Sequence, residues 1–123
     1  MTNYRAPSPT DFTVEVDGIG HFSFARRKMR DELDIGVEIS KITQGVDTPT
    51  VWLENVAGWI ATLRVLTVVA PNGWDIDEMD PLDDTTYRKI HLVFSALRVK
   101  EQSFRKGSAT PNQGSGEGPG GQT

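Results

Sequence analysis

The segment that most constrains the fold is the apolar stretch of residues 48–70. Thr48 and Pro49 supply an N-cap and a first-turn proline, and Pro71 stops a helix at the residue before it. We therefore predict a central core helix over residues 49–70. Its large apolar residues recur at the three- and four-residue spacing of one helix face: Trp52, Val56, Trp59, Ile60, Leu63 and Leu66.

The two ends of the chain lack the residues that build a core. Residues 107–123 contain six glycines, two prolines and no large apolar side chain. Such a segment buries too little apolar surface to offset the entropy of ordering, so we predict a disordered glycine-rich tail. Residues 1–9 are predicted to be flexible for the same reason. A single α+β domain is expected over residues 10–106.

Residues 11–26 have the alternation of a β-hairpin. Phe12, Val14 and Val16 alternate with polar residues on the first strand, and Phe22 and Phe24 alternate with smaller or polar residues on the second. The glycine-containing turn DGIG separates the two strands. Because an isolated hairpin is marginal in water, its apolar face is expected to pack on helices or to extend another sheet.

Residues 28–44 are compatible with two structures. Met29, Leu33, Ile35, Ile39 and Ile42 fit a helix, whereas Leu33, Ile35, Val37 and Ile39 also alternate as in a strand. The length and the charged start favour a helix, although a mid-helix glycine at position 36 costs about 1 kcal/mol relative to alanine. We predict a helix over residues 28–44.

The last third of the domain consists of an acidic loop and a helix. Residues 71–83 form the loop, and residues 84–106 are predicted to form a helix that Asp83 or Asp84 caps and Gly107 ends. The whole is predicted to be an α+β fold, mostly helical, with an N-terminal β-hairpin packed on about three α-helices.

No residue pattern for catalysis, metal binding or cofactor binding is present. The chain has no cysteine, and His21 and His91 lie outside any nucleophile or metalloprotease motif. The acidic loop fails the EF-hand pattern, which places an acidic or amide residue, a glycine and a glutamate where this chain has Met79, Asp80 and Thr86. We predict a non-enzymatic protein without a cofactor.

The charge distribution argues against nucleic acid as a partner, and the length and polarity of the apolar stretch argue against a membrane span. The formal net charge is −4, and the basic residues at positions 26–30 are followed at once by Asp31, Glu32 and Asp34, so local ion pairing competes with phosphate contacts. The apolar stretch of residues 48–70 is too short and too polar to span a bilayer.

Tryptophans indicate where a partner protein would bind. Trp52 and Trp59 are expected in the core, because they lie two turns apart on one helix face. Trp74 lies among six acidic residues in the segment 74–84, where full burial is difficult. Aromatic residues at a charged rim commonly anchor partners. The predicted partner-binding residues of the loop are Trp74, Ile76, Met79 and Leu82.

The order of these parts resembles a known family. The hairpin VEVDGIGHFSFARR is followed directly by MRDELDIG, then by the tryptophan-bearing helix, the loop PNGWDIDEMDPLDD and a terminal helix ending in LRVKEQSFRKG. This arrangement is similar to the small tail assembly chaperones of long-tailed bacteriophages and their prophage relatives, over about residues 11–107.

The resemblance implies a role in the cytoplasm of the host bacterium. A protein of this family binds the tape-measure protein, keeps it soluble until the tail tube polymerises around it, and is absent from the finished virion. The family often makes a second, longer form by ribosomal frameshifting, and a glycine-rich tail suits a linker to such an extension. Two alternatives stay open: a structural tail component retained in the virion, and a small regulatory adaptor. A homo-oligomer is also compatible with the sequence.

Overall fold

The computed structural model describes residues 2–3 and 5–108, with side chains described for residues 5–105. The α+β fold with an N-terminal hairpin and three helices is confirmed. The strands are β1 (Thr2–Asn3), β2 (Phe12–Val16), β3 (Gly20–Phe24) and β4 (Thr67–Ala70); the helices are α1 (Met29–Ile42), α2 (Val51–Leu66) and α3 (Thr86–Ser108), with a short 3-10 turn (Ile76–Glu78) before α3.

The four strands form one antiparallel sheet in the order β1-β4-β3-β2. In the hairpin, Phe12 pairs with Phe24 and Val14 with Phe22, so the apolar side chains share one face as their alternation predicts. The turn requires glycine at position 20, because its φ is 139° and an added Cβ would lie 3.0 Å from the ring of Pro71. The glycine at position 20 therefore permits both the hairpin turn and the close approach of Pro71 to it.

The predicted helix over residues 49–70 is wrong at its end. Helix α2 stops at Leu66, and Thr67–Ala70 continues as strand β4 beside β3. The backbone N–H of Ala25 donates to the carbonyl of Leu66 at 2.9 Å, which marks the change from helix to sheet. The residues after Leu66 are mostly β-branched, and β-branched side chains favour a strand once a neighbouring strand offers hydrogen bonds. The sequence pattern of an apolar run did not separate these two states.

The start of α2 also differs from the prediction. Thr50 is the N-cap, and its hydroxyl accepts a hydrogen bond from the Leu53 N–H at 3.1 Å. Thr48 and Pro49 lie before the helix. A side-chain oxygen at the N-cap satisfies a backbone donor that has no partner within the helix.

The prediction of flexibility over residues 1–9 is wrong for the described part of that segment. Thr2 pairs with Ala70 and Asn3 with Val69, which adds β1 to the edge of the sheet. This pairing depends on β4, whose existence the sequence did not reveal. The N-terminal segment consequently contributes a strand to the fold.

The predicted helix within residues 28–44 is present as α1 (Met29–Ile42), so the alternative of a strand is excluded there. Asp31, at the third position of α1, accepts a hydrogen bond from the Lys28 N–H at 2.9 Å, and Ile35 lies in the core.

Helix α3 continues through Gly107 to Ser108, so the prediction that Gly107 ends it is wrong. A single glycine near a helix end costs at most about 1 kcal/mol and does not by itself stop a helix. The predicted disordered tail lies outside the described residues from position 109 onwards.

The core is formed where the helices cover one face of the sheet. Helix α1 packs along α2, α2 packs against α3, and α3 packs across β2. Aromatic rings in successive contact run through this layer, with centroid distances of 5.1, 5.7, 6.0 and 4.9 Å along the series Trp74, Phe22, Phe24, Phe12 and Phe104. This aromatic series ties the acidic loop at one end of α3 to the last turns of α3 at the other.

Candidate functional site: exposed apolar surfaces and the acidic loop

The four loop residues predicted to bind a partner do not share one exposed face. Trp74 is only 7% exposed, whereas Leu82 is 91% exposed. Ile76 and Met79 are half-buried and pack against the core. The expectation that Trp74 resists burial is wrong, because the loop turns back at Pro71 (Trp74 N to Pro71 O, 3.1 Å) and directs the indole against the Phe22 ring. Only Leu82 is available as a prominent apolar contact.

The acidic residues of the loop make local hydrogen bonds that shape it. Asp75 accepts from the Asp77 N–H at 3.2 Å, and Asp80 accepts from the Leu82 N–H at 2.9 Å. Arg64 of α2 binds Asp77 and lies 3.5 Å from Glu38 of α1, so it joins the loop to two helices. The loop thus presents its remaining negative charge from a defined backbone.

Asp83 accepts two hydrogen bonds from Thr85 at the end of the loop. The Thr85 N–H donates to its Oδ1 at 2.9 Å and the Thr85 hydroxyl donates at 2.8 Å. These hydrogen bonds, with a smaller contribution from the positive charges of Lys89 and Arg88, lower the pKa of Asp83 from its ordinary value of 3.8.

Within residues 5–105, no group of three or more histidine or acidic side chains is placed to hold a metal ion.

A second surface consists of apolar side chains on the outer side of α1. Met29, Leu33 and Val37 lie at intervals of four residues and are 74%, 66% and 53% exposed. Ile35 and Ile39 of the same helix point the other way and pack in the core. Because residues four apart lie on one face of a helix, the three exposed side chains form a continuous strip, which we call the α1 row.

A glycine lies beside the α1 row. Gly36 is exposed in the middle of α1, and a Cβ built on it would meet nothing within 4 Å. Packing inside the domain therefore does not require glycine there, although glycine in a helix interior costs about 1 kcal/mol relative to alanine. The absence of a side chain at position 36 leaves the backbone next to Leu33 and Val37 open to close approach by another chain.

The sequence contained a signal for the α1 row. The apolar residues of α1 fall on two opposite faces, whereas a helix at the surface of a single domain needs only one. The prediction grouped Met29 and Leu33 with Ile35 and Ile39 by their fit to a helix, without assigning them to faces. The structure separates them into an inner and an outer face.

A third surface combines aromatic rings of α2 and α3. Trp52 contacts Tyr87 at 5.3 Å between ring centroids, and Trp59 contacts His91 at 4.7 Å. Trp59 is half-buried, but Trp52 is more than half exposed, so its assignment to the core is wrong. Trp52 lies in the first turn of α2, where its ring meets that of Tyr87 in a T-shaped contact.

Arg27, one of the basic residues after β3, makes ion pairs within the domain. Arg27 binds Glu32 and donates two hydrogen bonds to Glu101, each 3.0 Å long. Burial lowers the pKa of Arg27, but the hydrogen bonds and charges of Glu32 and Glu101 outweigh it, so the net pKa is raised. The expected competition from local ion pairing is therefore present at Arg27.

No protein-family model matches this chain, and neither the curated proteins nor the solved structures include a significant match to it. The fold and the surfaces described above thus define a small α+β domain with exposed apolar strips and an acidic loop. Among the described helices, none combines the length and the apolar character needed to cross a bilayer.

Proposed function

We propose that this protein is a non-enzymatic tail assembly chaperone that binds a helical segment of the tape-measure protein through the α1 row. The observation that supports the proposal most strongly is the strip formed by Met29, Leu33 and Val37, whose side chains are more than half exposed and lie outside the described core cluster. The resemblance to tail assembly chaperones in the order of the hairpin, helices and acidic loop supports the same role. The proposed location is the cytoplasm of the host bacterium.

The geometry of the α1 row suits an amphipathic client helix. Two helices pack when side chains at three- and four-residue spacing interdigitate at an interaxial distance of about 8–10 Å. Gly36 adjoins Leu33 and Val37 and provides a shallow place where the client backbone approaches closely. Exposed charged residues of α1, among them Arg30 and Asp34, flank the strip. Their charges favour an amphipathic client helix over one that is apolar on all sides.

The size of the α1 row favours reversible binding. Burying one such side chain contributes on the order of 1–2 kcal/mol, so the three together contribute roughly 3–6 kcal/mol before the cost of association. A dissociation constant of 1 μM corresponds to about 8 kcal/mol. The row alone therefore binds weakly, which is what release before tube assembly requires.

The acidic loop adds long-range attraction. Residues 74–84 contain six acidic side chains and no basic one, and the segment is held next to α2 through Arg64. Such a patch accelerates encounter with basic segments of a client and loses that effect as salt rises. We propose this steering role for the loop in place of an aromatic anchor at Trp74.

Co-expression with the tape-measure protein encoded nearby tests the function. The proposal predicts that a tag on this protein recovers the client in a complex and that the soluble fraction of the client rises. It also predicts that purified virions lack this protein. Failure to increase client solubility, in cells that produce both proteins, would refute a chaperone role.

One observation favours a structural tail component as a second candidate. Strand β2 pairs only with β3, and no other described strand occupies its outer edge. An open edge of this kind accepts a strand from another protein. A component that assembles in this way stays in the particle, so its presence in purified virions at a fixed ratio to the tube protein would select this candidate over the chaperone.

A further inference from the structure

A basic cleft lies between the end of the hairpin and the last turns of α3, on a different part of the molecule from the α1 row. Its volume is about 330 Å³. Its walls come from the start of β2, the residues after β3 and one side of α3. Its lining includes Arg26, Arg27, Arg98, Arg105, Glu101 and Phe104.

Glu101 is the one carboxylate among the lining residues, and it organises two of the arginines. Arg27 binds it through two nitrogens at 3.0 Å, and Arg98 Nη1 donates to its Oε1 at 2.8 Å. The Glu101 side chain is largely buried. The lining therefore carries four arginines against one glutamate, with Glu32 as a further neighbour of Arg27. Arginines thus outnumber these two carboxylates four to two.

Arg26 is held in place by an aromatic ring. Its guanidinium carbon lies 4.2 Å above the centroid of the Phe104 ring, a cation–π contact. A guanidinium stacked in this way keeps its in-plane N–H groups directed outward as donors. Phe104 in turn meets Phe12 edge-on at 4.9 Å, and Phe12 contacts Phe24 in the core. The positive charge of Arg26 is thus supported by a rigid aromatic base.

We propose that this arginine cleft binds carboxylate side chains of an acidic, partly apolar segment of a partner protein. The arginines already take a carboxylate in the paired geometry shown by Arg27 and Glu101, so a second carboxylate meets donors of the same kind. The half-buried rings of Phe12 and Phe104 line the cleft and provide an apolar floor. A protein segment is favoured over nucleic acid because the chain has a net charge of −4, which opposes a long polyanion but not a short acidic segment.

The site does not depend on the chaperone role, and its test uses no tape-measure protein. The full chain is titrated into a fluorescein-labelled peptide of alternating glutamate and leucine at low salt, with fluorescence anisotropy as the readout. A peptide of alternating glutamine and leucine is the neutral comparison, and an oligothymidylate of equal charge is the nucleic-acid comparison. The proposal predicts that the glutamate peptide binds more tightly than either.

A pair of charge-matched variants locates the binding. Arg98→Gln combined with Arg105→Gln removes two cleft arginines, and Arg88→Gln combined with Lys100→Gln removes two exposed positive charges of the same helix outside the lining. Because charged hydrogen bonds are lost, we expect the affinity of the cleft variant for the glutamate peptide to fall by at least about tenfold, with little change in the control variant. Thermal melting verifies folding, and the single variant Arg105→Gln gives the same comparison if the double variant does not fold.

Three results would overturn the proposal. Equal affinity for the glutamate and glutamine peptides would show that carboxylates are not recognised. Equal weakening by the cleft and control variants would show that only net charge acts. Tighter binding of the oligothymidylate than of the glutamate peptide would assign the cleft to phosphates instead of an acidic protein segment.

Discussion

Arg5 and the buried carboxylate of Asp31 form an ion pair that fastens the N-terminal segment to helix α1. Arg5 Nη1 lies 3.2 Å from Asp31 Oδ1 and also donates to the carbonyl of Val65 at 2.9 Å. The Asp31 side chain is 3% exposed, and its second oxygen accepts the Lys28 N–H at 2.9 Å. A single arginine thus connects the first strand, the start of α1 and the end of α2.

Replacing Arg5 should destabilise the domain. Arg5→Ala leaves the buried Asp31 carboxylate without its cation, and we expect the free energy of unfolding to fall by about 2–3 kcal/mol. The value is below that for a fully buried pair because Arg5 is itself partly exposed. Urea denaturation measures the change. Arg30→Ala, at an exposed position of α1, is the control and should stay within about 0.5 kcal/mol of the parent; equal effects of the two variants would contradict the role of the pair.

Trp74 should behave as a core residue. Trp74→Ala removes the ring that packs edge-on against Phe22, and we expect a loss of about 3–5 kcal/mol in the free energy of unfolding. Leu82→Ala, in the same loop but exposed, should change it by no more than about 0.5 kcal/mol. Thermal and urea denaturation report both values. A small effect at Trp74 would mean that the indole is outside the core in solution.

Gly36→Ala should stabilise the isolated protein. The added methyl group meets nothing within 4 Å, and alanine is the better helix former by about 1 kcal/mol, so the free energy of unfolding should rise by roughly 0.5–1 kcal/mol. Chemical denaturation without a partner gives the number. Destabilisation would show that the domain itself needs glycine at this position. If a client packs closely here, Gly36→Leu should weaken client binding more than Gly36→Ala.

Asp83 should titrate below its ordinary value. The hydrogen bonds from the Thr85 N–H and hydroxyl favour its ionised form and lower its pKa from 3.8. A carboxylate with a depressed native pKa adds stability that is complete above the unfolded pKa and is lost as the pH falls through the native pKa. The Asp83 contribution is therefore constant at neutral pH, begins to fall only as the pH drops below the ordinary value of 3.8, and is lost as the pH passes through the lower native pKa. Carboxyl ¹³C chemical shifts measure the midpoint, and a midpoint at or above 3.8 would contradict the hydrogen bonds.

Local patterns were sufficient to predict the hairpin and the helical character of α1, α2 and α3. The alternation of Phe12, Val14, Phe22 and Phe24 corresponds directly to the observed cross-strand pairs. Strand β4 was missed because Thr67–Ala70 continues an apolar run that is compatible with either a helix or a strand. Only pairing with β3, which is remote in sequence, decides between them.

The partner surface was harder to predict than the fold. Burial of Trp74 depends on where the loop turns back onto Phe22, and neither the acidic composition nor the spacing of the loop specifies that contact. Exposure of Met29, Leu33 and Val37 depends on which face of α1 meets α2. Apolar residues on both faces of a helix predict that one face is exposed to a partner, but they do not show which face it is.

The most direct test of the proposed function compares two double variants in the co-expression assay. Leu33→Ser with Val37→Ser removes most of the α1 row, and Leu92→Ser with Val99→Ser removes an exposed leucine and valine from α3. Both variants should melt close to the parent because the altered side chains are 44% to 70% exposed. The measurement is the amount of tape-measure protein recovered in soluble complex. Binding through the α1 row predicts loss of recovery for the α1 variant and near-parental recovery for the α3 variant, whereas full recovery with the α1 variant would contradict the proposed function.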